Sequence, residues 1–315
     1  MKKKKTFLGR IVRVIVILFI IVGVCGYLLT DYIHGKMNYS GIPSVTMEPL
    51  KQEGVTNVLL IGNDSREAGA DGRSDAMILL SISNETKTIH LTSLLRDMYV
   101  DIPGYDGNRL NAAYAYGGPK LLMETIEENF DIEVNRYILV NFQAFAKLID
   151  AVGGVELDVT NEEVQYINAY LVEYNILEGN EAGTNYLDES LSGMVHLNGP
   201  QALAYCRNRY LGTDFGRTER QRKVLSAAIR NAPKALLKDP LEMMNDILPM
   251  LTTNLTQAEI GKLFLQAPNF LVYDIVQGSL PIEGSYSNAS IRGMAVLEVD
   301  FEQNNEYIRS QIYGE

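Results

Sequence analysis

The chain has 315 residues, of which 46% are apolar and 21% charged, a composition typical of a globular protein and not of a disordered, collagenous or many-span membrane chain. Its two cysteines are too few for a disulfide framework or a cysteine zinc site, and its three histidines lie too far apart in sequence to predict a ligand cluster. The formal net charge of −11 argues against a nucleic-acid partner.

The N-terminus differs in charge from the rest of the chain. Its first acidic residue is Asp31, and six basic residues precede Val14; the remaining residues carry 22 Lys and Arg against 39 Asp and Glu, a net charge of −17. The uncharged run 14–29 would span about 24 Å as a helix, and residues 7–13 lengthen it enough for a hydrocarbon core about 30 Å thick.

The positive-inside rule then predicts a cytoplasmic tail at residues 1–6, a single transmembrane anchor at 7–31 and an extracellular remainder at the cell membrane. A cleaved signal peptide is the alternative, but no small-x-small cleavage site stands out, so we favour a retained anchor. Residues 32–54 contain glycine and proline without periodicity, which predicts a spacer between the anchor and one domain, residues 55–315.

Three consecutive strands are predicted at the start of this domain. Apolar or alternating runs place them at Asn57–Gly62, Ala76–Ser83 and Thr88–Leu95. Further strands are predicted at Tyr137–Asn141, Val155–Val159, Leu271–Val276 and Ala295–Val299. Helices are predicted at Pro119–Asn129, Phe142–Val152, Gln201–Cys206 and Thr218–Leu237, and a capping-box pattern at Thr256–Glu259 begins a helix that ends at Pro268. This alternation predicts an α/β fold.

Charged residues mark the ends of the first three strands. Asp64 follows the first strand, Asp75 opens the second, and Arg96 and Asp97 follow the third. Short connections predict antiparallel strands, so these ends should lie at one edge of the sheet. Two carboxylates suit Mg²⁺, which one or two carboxylates and substrate phosphates typically hold, and Arg73 and Arg96 suit phosphate oxygens. Singly, each residue is more often a turn or surface residue.

A second group of arginines lies further along the chain. Within 16 positions the sequence holds Arg207, Arg209, Arg217, Arg220 and Arg222. One interpretation is a solvated basic helix face, with Asp214 or Thr218 as the N-cap of the helix. The other is a helix that already includes Arg217, so that Gln221, four residues on, faces the same ligand.

Taken in order, these segments resemble the LytR-CpsA-Psr family of Gram-positive cell envelopes. The motifs are NVLLIGNDSR (57–66), GRSDAMIL (72–79), SLLRDMYVDIPGY (93–105), NRLNAAYAYGGP (108–119), NFQAFAKLIDAVGGVELDV (141–159), and HLNGPQALAYCRNR followed by DFGRTERQ (196–221). Residues 166–195 match the family pattern only loosely. The resemblance implies a single domain whose central mixed β-sheet is flanked by helices and preceded by one transmembrane helix.

The resemblance also implies a Mg²⁺-dependent phosphotransferase. Such an enzyme moves a glycopolymer (teichoic acid, capsule or another wall polysaccharide) from a polyprenyl-pyrophosphate carrier to a peptidoglycan acceptor, forming a phosphodiester, with pyrophosphate hydrolysis as a side activity. By position, Asp64 and Asp75 would hold the metal, and Asp97 beside Arg96 would accept the proton of the attacking hydroxyl, expected on C6 of muramic acid. The pyrophosphate would be bound by Arg73, Arg96, Arg109, Arg207, Arg209, Arg217 and Gln221. The prenyl tail would lie in an apolar slot that Phe142–Val152 and Val224–Leu237 could line.

Two other functions are compatible with parts of the sequence. A non-enzymatic regulator of envelope assembly could hold polyprenyl phosphate through the same arginines and would need no Mg²⁺. A membrane-tethered transcription regulator conflicts with the acidic charge and with a cytoplasmic tail too short to fold.

Overall fold

A computed structural model of the chain describes residues 26, 28–40, 54–63, 74–208, 210–238, 245–270 and 272–314. The predicted cytoplasmic tail and residues 7–25 and 27 of the predicted anchor lie outside these ranges. Within them, no helix has both the length and the hydropathy needed to cross a membrane.

The strands, in chain order, are β1 Asn38–Tyr39, β2 Val55–Asn63, β3 Ser74–Ser83, β4 Thr88–Leu94, β5 Tyr99–Val100, β6 Asn108–Arg109, β7 Tyr137–Asn141, β8 Val155–Val159, β9 Gly193–Leu197, β10 Thr252–Thr253, β11 Asp274–Leu280, β12 Tyr286–Ile291 and β13 Met294–Val299. The helices are α1 (residues 28–36), α2 Leu110–Phe130, α3 Phe142–Ala151, α4 Asn161–Glu178, α5 Gly199–Arg207, α6 Asp214–Lys238, α7 Gln257–Phe270 and α8 Phe301–Ile308.

A mixed seven-stranded sheet forms the centre, in the order β1-β10-β7-β2-β3-β4-β11. Its middle strands β2, β3 and β4 are antiparallel neighbours, with Leu59 opposite Leu79 and Leu80 opposite Leu91, which confirms the predicted pairing. Strands β7 and β11 run parallel to β2 and β4. The C-terminal ends of β2, β4, β7 and β11 and the start of β3 therefore share one edge of the sheet, which we call the site edge.

Both faces of the sheet are covered by helices, which explains why its strands are almost continuously apolar. Along β3, Met77 and Leu79 point to a core shared with α2 and α8, whereas Ile78 points to the opposite face, where it packs with Leu225 and Ile229 of α6. Alternate side chains of a strand point to opposite faces, so both sides need apolar residues. The predicted α/β architecture, with helices on both sides of a mixed sheet, is confirmed.

A second core joins α3, α4, α5 and α6 to the β8–β9 hairpin. Ile149, Val152, Val224 and Ala228 are buried together in it, so the two segments predicted to line a prenyl slot both contribute to this core. Cys206 belongs to the same core, and burial raises the pKa of its thiol, as suits a small packing residue.

Helix α4 was not predicted. Thr160 and Glu163 form a capping box at its start, and Gly179 ends it in the left-handed conformation. Its buried face carries Val164, Ile167 and Leu171, but other apolar residues are exposed on its outer side, which hides the helical period in the sequence.

The segment before residue 55 is partly folded against the domain. Ile33 of α1 is buried with Leu255 and Ile260, and Asn38 of β1 pairs in parallel with Thr252 of β10. Residues 32–40 of the predicted spacer thus extend the domain at one side of the sheet. The burial of Ile33 and the pairing of β1 hold α1 in place.

Three differences from prediction affect the site. Helix α2 begins at Leu110, not Pro119, but Gly117 and Gly118 interrupt it, so only its second half follows the predicted helix. Strand β11 begins at Asp274, three residues after the predicted start, and extends to Leu280. The β12 strand completes a hairpin with β13, of which only the second strand was predicted.

Candidate functional site

The loop after β4 is held in place by its backbone on both sides. Leu95 donates its N–H to the carbonyl oxygen of Leu280, at 2.9 Å, and Leu297 donates to that of Asp97, at 2.8 Å. Met98 pairs with Leu297 in an isolated parallel bridge. Arg96 and Asp97 therefore project from a fixed backbone at the site edge, as a functional constellation requires.

Five charged side chains form a continuous series of ion pairs at this edge. Asp97 Oδ1 lies 3.1 Å from Arg109 Nη1, and Asp97 Oδ2 lies 3.6 Å from Arg96 Nε. Asp214 Oδ1 lies 3.7 Å from Arg96 Nη2 and 3.1 Å from Arg217 Nη2. We call this series, Arg109–Asp97–Arg96–Asp214–Arg217, the ion-pair chain. Among the residues that the structure describes, it brings three guanidinium groups close together around two carboxylates, an arrangement suited to an anion.

The start of α6 places Arg217 in this chain. Thr213 accepts hydrogen bonds from Gly216 N through its hydroxyl, at 3.4 Å, and from Arg217 N through its carbonyl, at 3.0 Å. Thr218 lies inside the helix, where its hydroxyl donates to the carbonyl of Phe215. Thr218 is therefore not the N-cap. Asp214 in the first turn interacts favourably with the helix dipole, and its pairing with two arginines was not foreseen.

Gln221 follows Arg217 by one helical turn, as the second interpretation of this segment expected. Its Oε1 atom is buried and accepts no hydrogen bond from the residues that the structure describes. A buried polar atom without a partner is costly in a folded protein. The side chain thus has hydrogen-bonding capacity to spare for a ligand.

The interpretation of this segment as a solvated basic helix face is wrong. Arg217, Arg220 and Arg222 are only 3%, 7% and 7% exposed. Arg220 donates to the carbonyl of Asn208, at 2.7 Å, and its Nη1 lies 3.8 Å from a carboxylate oxygen of Glu163. Burial lowers the pKa of Arg222. Arg220 thus joins α6 to α4 and to the loop after α5, a positioning role that the sequence did not reveal.

Arg207 lies outside the ion-pair chain. Its guanidinium carbon is 4.0 Å from the ring centroid of Phe142 and 5.5 Å from that of Tyr170, and its carbonyl accepts a hydrogen bond from the hydroxyl of Tyr166. A cation–π contact uses the face of the guanidinium, and its edge serves hydrogen bonds, one of them with the Tyr170 side chain.

The predicted metal position lies where β2 and β3 meet at the site edge. Gly62 pairs with Ala76 and Asn63 with Ser74, so Asp75 is the extra residue of a β-bulge, and Asp64 directly follows Asn63 in the chain. Bulges re-aim side chains and are frequent beside functional sites. Asp64, Arg73 and Arg209 themselves lie outside the described residues, and Asp75 is placed here by its backbone alone.

The backbone of Asp75 lies at the site edge, and a carboxylate there fits the prediction of a Mg²⁺ site, because this ion is commonly held by one or two carboxylates and completed by phosphate and water. In the described part of the chain, no three His, Cys, Asp or Glu side chains are grouped so as to hold a metal.

Comparison with known proteins gives consistent results. The model of the LytR_cpsA_psr family matches residues 31–311. The polyisoprenyl-teichoic acid–peptidoglycan teichoic acid transferase TagU of Oceanobacillus iheyensis is 32% identical over 330 residues, which cover 99% of this chain and 94% of TagU.

Two solved structures have the same fold. "TagT bound to LIIa-WTA" is 29% identical, with a TM-score of 0.66 over 87% of this chain and 96% of that one. The family protein YwtF (TagT) with bound octaprenyl pyrophosphate lipid is 26% identical, with a TM-score of 0.62 over 86% of this chain and 96% of that one.

Proposed function

This chain belongs to the LytR-CpsA-Psr family, and we propose that it transfers a glycopolymer from a polyprenyl-pyrophosphate carrier to peptidoglycan. The observation that carries the proposal is the ion-pair chain, whose guanidinium groups outnumber its carboxylates at a fixed sheet edge. A relative named as a teichoic acid–peptidoglycan transferase and a structural neighbour with bound octaprenyl pyrophosphate support a lipid-linked diphosphate as the anion.

In the proposed reaction, the arginines bind and orient the diphosphate. Arg96 and Arg217 belong to the ion-pair chain, and Arg73, Arg207, Arg209 and Gln221 would add contacts around it. Guanidinium groups stay charged and offer paired N–H donors, so they neutralise the charge that spreads over phosphoryl oxygens during transfer. Asp64 and Asp75 would hold Mg²⁺, which when bound neutralises further diphosphate charge.

Asp97 is the proposed general base. Its Oδ2 atom lies 3.6 Å from Arg96 Nε, longer than a hydrogen bond, so this oxygen has room for the proton of an incoming hydroxyl. A bond forms between the acceptor oxygen and the phosphorus next to the sugar, and the bond from that phosphorus to the bridging oxygen breaks. Polyprenyl phosphate leaves with the bonding electrons, and the sugar phosphate remains on the acceptor as a phosphodiester.

The proposal includes the topology expected from the charge pattern. A cytoplasmic basic tail and a single membrane-spanning anchor would place the domain on the outer side of the cell membrane, where peptidoglycan lies. Helix α1 includes residues 28–31 of the predicted anchor, so the membrane-spanning part would end before it, and its packing against α7 would bring the domain close to the lipid-linked substrate.

The test is release of polyprenyl phosphate from a defined lipid-linked disaccharide by the full-length protein. The reaction is run with Mg²⁺ or with a chelator, and with or without peptidoglycan. We expect Asp75→Ala and Arg96→Ala to lower the rate at least about 100-fold. The matched control is Arg309→Ala, which removes an exposed arginine that pairs with Asp131 away from the site edge.

Each arm of this experiment has a defined meaning. Release that depends on Mg²⁺ and on peptidoglycan supports transfer, and release without peptidoglycan indicates the pyrophosphate hydrolysis expected as a side activity. A protein that binds the lipid but releases nothing under any condition is the non-enzymatic regulator, and the proposed transfer is then wrong.

A further inference from the structure

An exposed pair of stacked tyrosines is linked to the ion-pair chain through strand β6. The ring centroids of Tyr105 and Tyr116 are 4.8 Å apart with an interplanar angle of 23°, and the two residues are 53% and 44% exposed. Stacked rings of this kind leave a flat apolar surface in water, and such surfaces commonly mark binding sites. We call this pair the tyrosine platform.

The backbone fixes Tyr116 at an interruption of α2. The next residues, Gly117 and Gly118, are non-helical, and Gly118 has φ 65° and ψ −157°, a conformation essentially restricted to glycine. A Cβ atom on Gly117 would lie 2.6 Å from Cβ of Leu121. The hydroxyl of Tyr116 also accepts a hydrogen bond from Nδ2 of Asn108, at 2.7 Å. The ring is thus held before any ligand binds.

The loop that carries Tyr105 is anchored at its start by Asn129, and an exposed ion pair lies near its end. Asn129 of α2 accepts from the backbone N–H of Asp101, at 3.1 Å, and donates to its carbonyl, at 2.8 Å. Asp106 forms a 3.0 Å ion pair with Arg292 at the turn between β12 and β13. A surface prepared in this way loses little conformational entropy on binding.

The platform is connected to Asp97 by two short contacts. Asn108, which bonds Tyr116, is the neighbour of Arg109 in β6, and Arg109 Nη1 lies 3.1 Å from Asp97 Oδ1. Asp97 thus contacts Arg96 through one carboxylate oxygen and Arg109 through the other, and the backbone of β6 joins Arg109 to Asn108 and the platform. In-line phosphoryl transfer brings the nucleophile and the leaving group to the phosphorus from opposite directions.

We infer that the tyrosine platform binds a sugar ring of the acceptor, an amino-sugar glycan strand, and thereby sets the attacking hydroxyl beside Asp97. The inference rests on the proposed function and assigns the acceptor, one of the two substrates, to the tyrosine platform. One face of a pyranose ring presents C–H groups that pack on aromatic rings, while its hydroxyl and amide groups need polar partners at the rim. Asn108, Asp106 and Arg292 provide both donors and acceptors.

Charge distinguishes this surface from the diphosphate site. Asp106 and Arg292 neutralise each other beside the platform, whereas the ion-pair chain has more guanidinium groups than carboxylates. A phosphate-rich donor polymer is attracted to the second surface, and a glycan strand without phosphate fits the first. This assigns the platform to the acceptor rather than to the lipid-linked donor.

The experiment measures two affinities of the full-length protein separately. One probe is a peptidoglycan glycan strand freed of stem peptides, and the other is octaprenyl pyrophosphate. We expect Tyr105→Ala and Tyr116→Ala each to raise the Kd for the glycan about tenfold and to leave the Kd for octaprenyl pyrophosphate unchanged. In transfer assays the same variants raise the KM for the acceptor and leave kcat nearly constant.

Two control variants separate stacking from folding. Tyr116→Phe keeps the ring and loses the hydrogen bond with Asn108, and we expect nearly full glycan affinity. Tyr186→Ala removes a tyrosine that is 41% exposed and lies outside the platform, and we expect no change in either Kd.

The inference is overturned if both alanine variants bind the glycan as well as the unchanged protein does, or if they lose octaprenyl pyrophosphate to the same extent. Because both affinities are equilibrium values, they do not require turnover. A protein that releases no polyprenyl phosphate but loses glycan affinity in Tyr105→Ala contradicts the proposed transfer and supports the platform as a glycan site.

Discussion

Two arginine–carboxylate systems in this molecule differ in how tightly their charged groups are paired. Arg136 and Glu259 form a closed pair: Arg136 Nε donates to both carboxylate oxygens, at 2.9 and 2.8 Å, and its Nη2 lies 2.7 Å from Oε1. Arg136 also donates to the carbonyl of Asn135, and Glu259 accepts from the N–H and hydroxyl of Thr256. In the ion-pair chain, by contrast, three guanidinium groups share two carboxylates at 3.1 to 3.7 Å.

The difference shows which system stabilises the fold and which one is open to a ligand. The closed pair joins the start of β7 to α7 and uses almost all of its hydrogen-bonding groups within the protein. The ion-pair chain gathers three guanidinium groups at the site edge, with contacts of 3.1 to 3.7 Å that are longer than those of the closed pair, and such a group of cations suits an incoming anion. Substitutions in the two systems should therefore affect different measurements.

The largest expected effect is on turnover. Arg217→Gln should lower the rate of polyprenyl phosphate release about 1,000-fold, or about 4 kcal/mol of transition-state stabilisation, because it removes a buried cation from the diphosphate site. Its free energy of unfolding should change by less than about 1 kcal/mol, since Asp214, which it leaves behind, is partly exposed and still faces Arg96. Initial rates and urea unfolding measure the two quantities. An equal loss of stability and activity would contradict the distinction drawn here.

The second largest effect is on stability rather than on turnover. Glu259→Gln should lower the free energy of unfolding by about 3 kcal/mol, because it leaves the buried guanidinium of Arg136 without its counter-charge. The folded fraction of Glu259→Gln should release polyprenyl phosphate at the same rate as the unchanged protein, since Arg136 lies outside the ion-pair chain.

A double substitution tests the cause of this loss. Arg136→Leu combined with Glu259→Leu removes both charges, so it should be less destabilising than Glu259→Gln alone. If the double variant loses more stability than the single one, the hydrogen bonds themselves, rather than the unpaired charge, are responsible.

The two systems also differ in what the sequence could reveal. The strands β2, β3 and β4 and their antiparallel order follow from local apolar patterns, so the convergence of Arg96 and Asp97 at the site edge was predictable. The closed pair was not: the Thr256–Glu259 capping box is visible in sequence, but Arg136 lies 123 positions away from Glu259. Contacts at such separation depend on the sheet order, which local patterns do not determine.

Other omissions have local physical reasons. Asp214 was interpreted as a helix N-cap because Asp commonly occupies that position, and its pairing with Arg96 requires the loop after β4 to approach α6. Helix α4 was not predicted because its apolar residues are spread around the helix axis and give no clear 3.6-residue period in the sequence. Nothing in the sequence distinguishes Tyr105 and Tyr116 from the other tyrosines among the 18, except that the glycine pair after Tyr116 indicates an unusual backbone conformation there.

A third, smaller effect concerns pH. Burial alone would raise the pKa of Glu259, but the hydrogen bonds from Arg136 and Thr256 outweigh it, so the pKa is lowered in the folded protein. A lowered folded pKa contributes stability above the unfolded value of about 4.3, and this contribution is lost as the pH falls through the folded pKa. The stability difference between the unchanged protein and Glu259→Gln should therefore be constant near neutral pH and shrink in acid. A difference that grows in acid would contradict this.

The smallest effect is expected for the ion pair between Lys223 and Glu219, although its contact distance is shorter than any in the ion-pair chain. Lys223 Nζ lies 2.8 Å from Glu219 Oε1 on α6, but both side chains are exposed. The hydrogen bond from Lys223 lowers the pKa of Glu219, yet water and salt screen exposed pairs, so a Lys223→Ala, Glu219→Ala double-mutant cycle should give a coupling of about 0.5 kcal/mol or less. A coupling near the loss expected for Glu259→Gln would mean that distance decides the strength of these pairs. A small coupling would show instead that burial and complete hydrogen bonding make the Arg136–Glu259 pair structural.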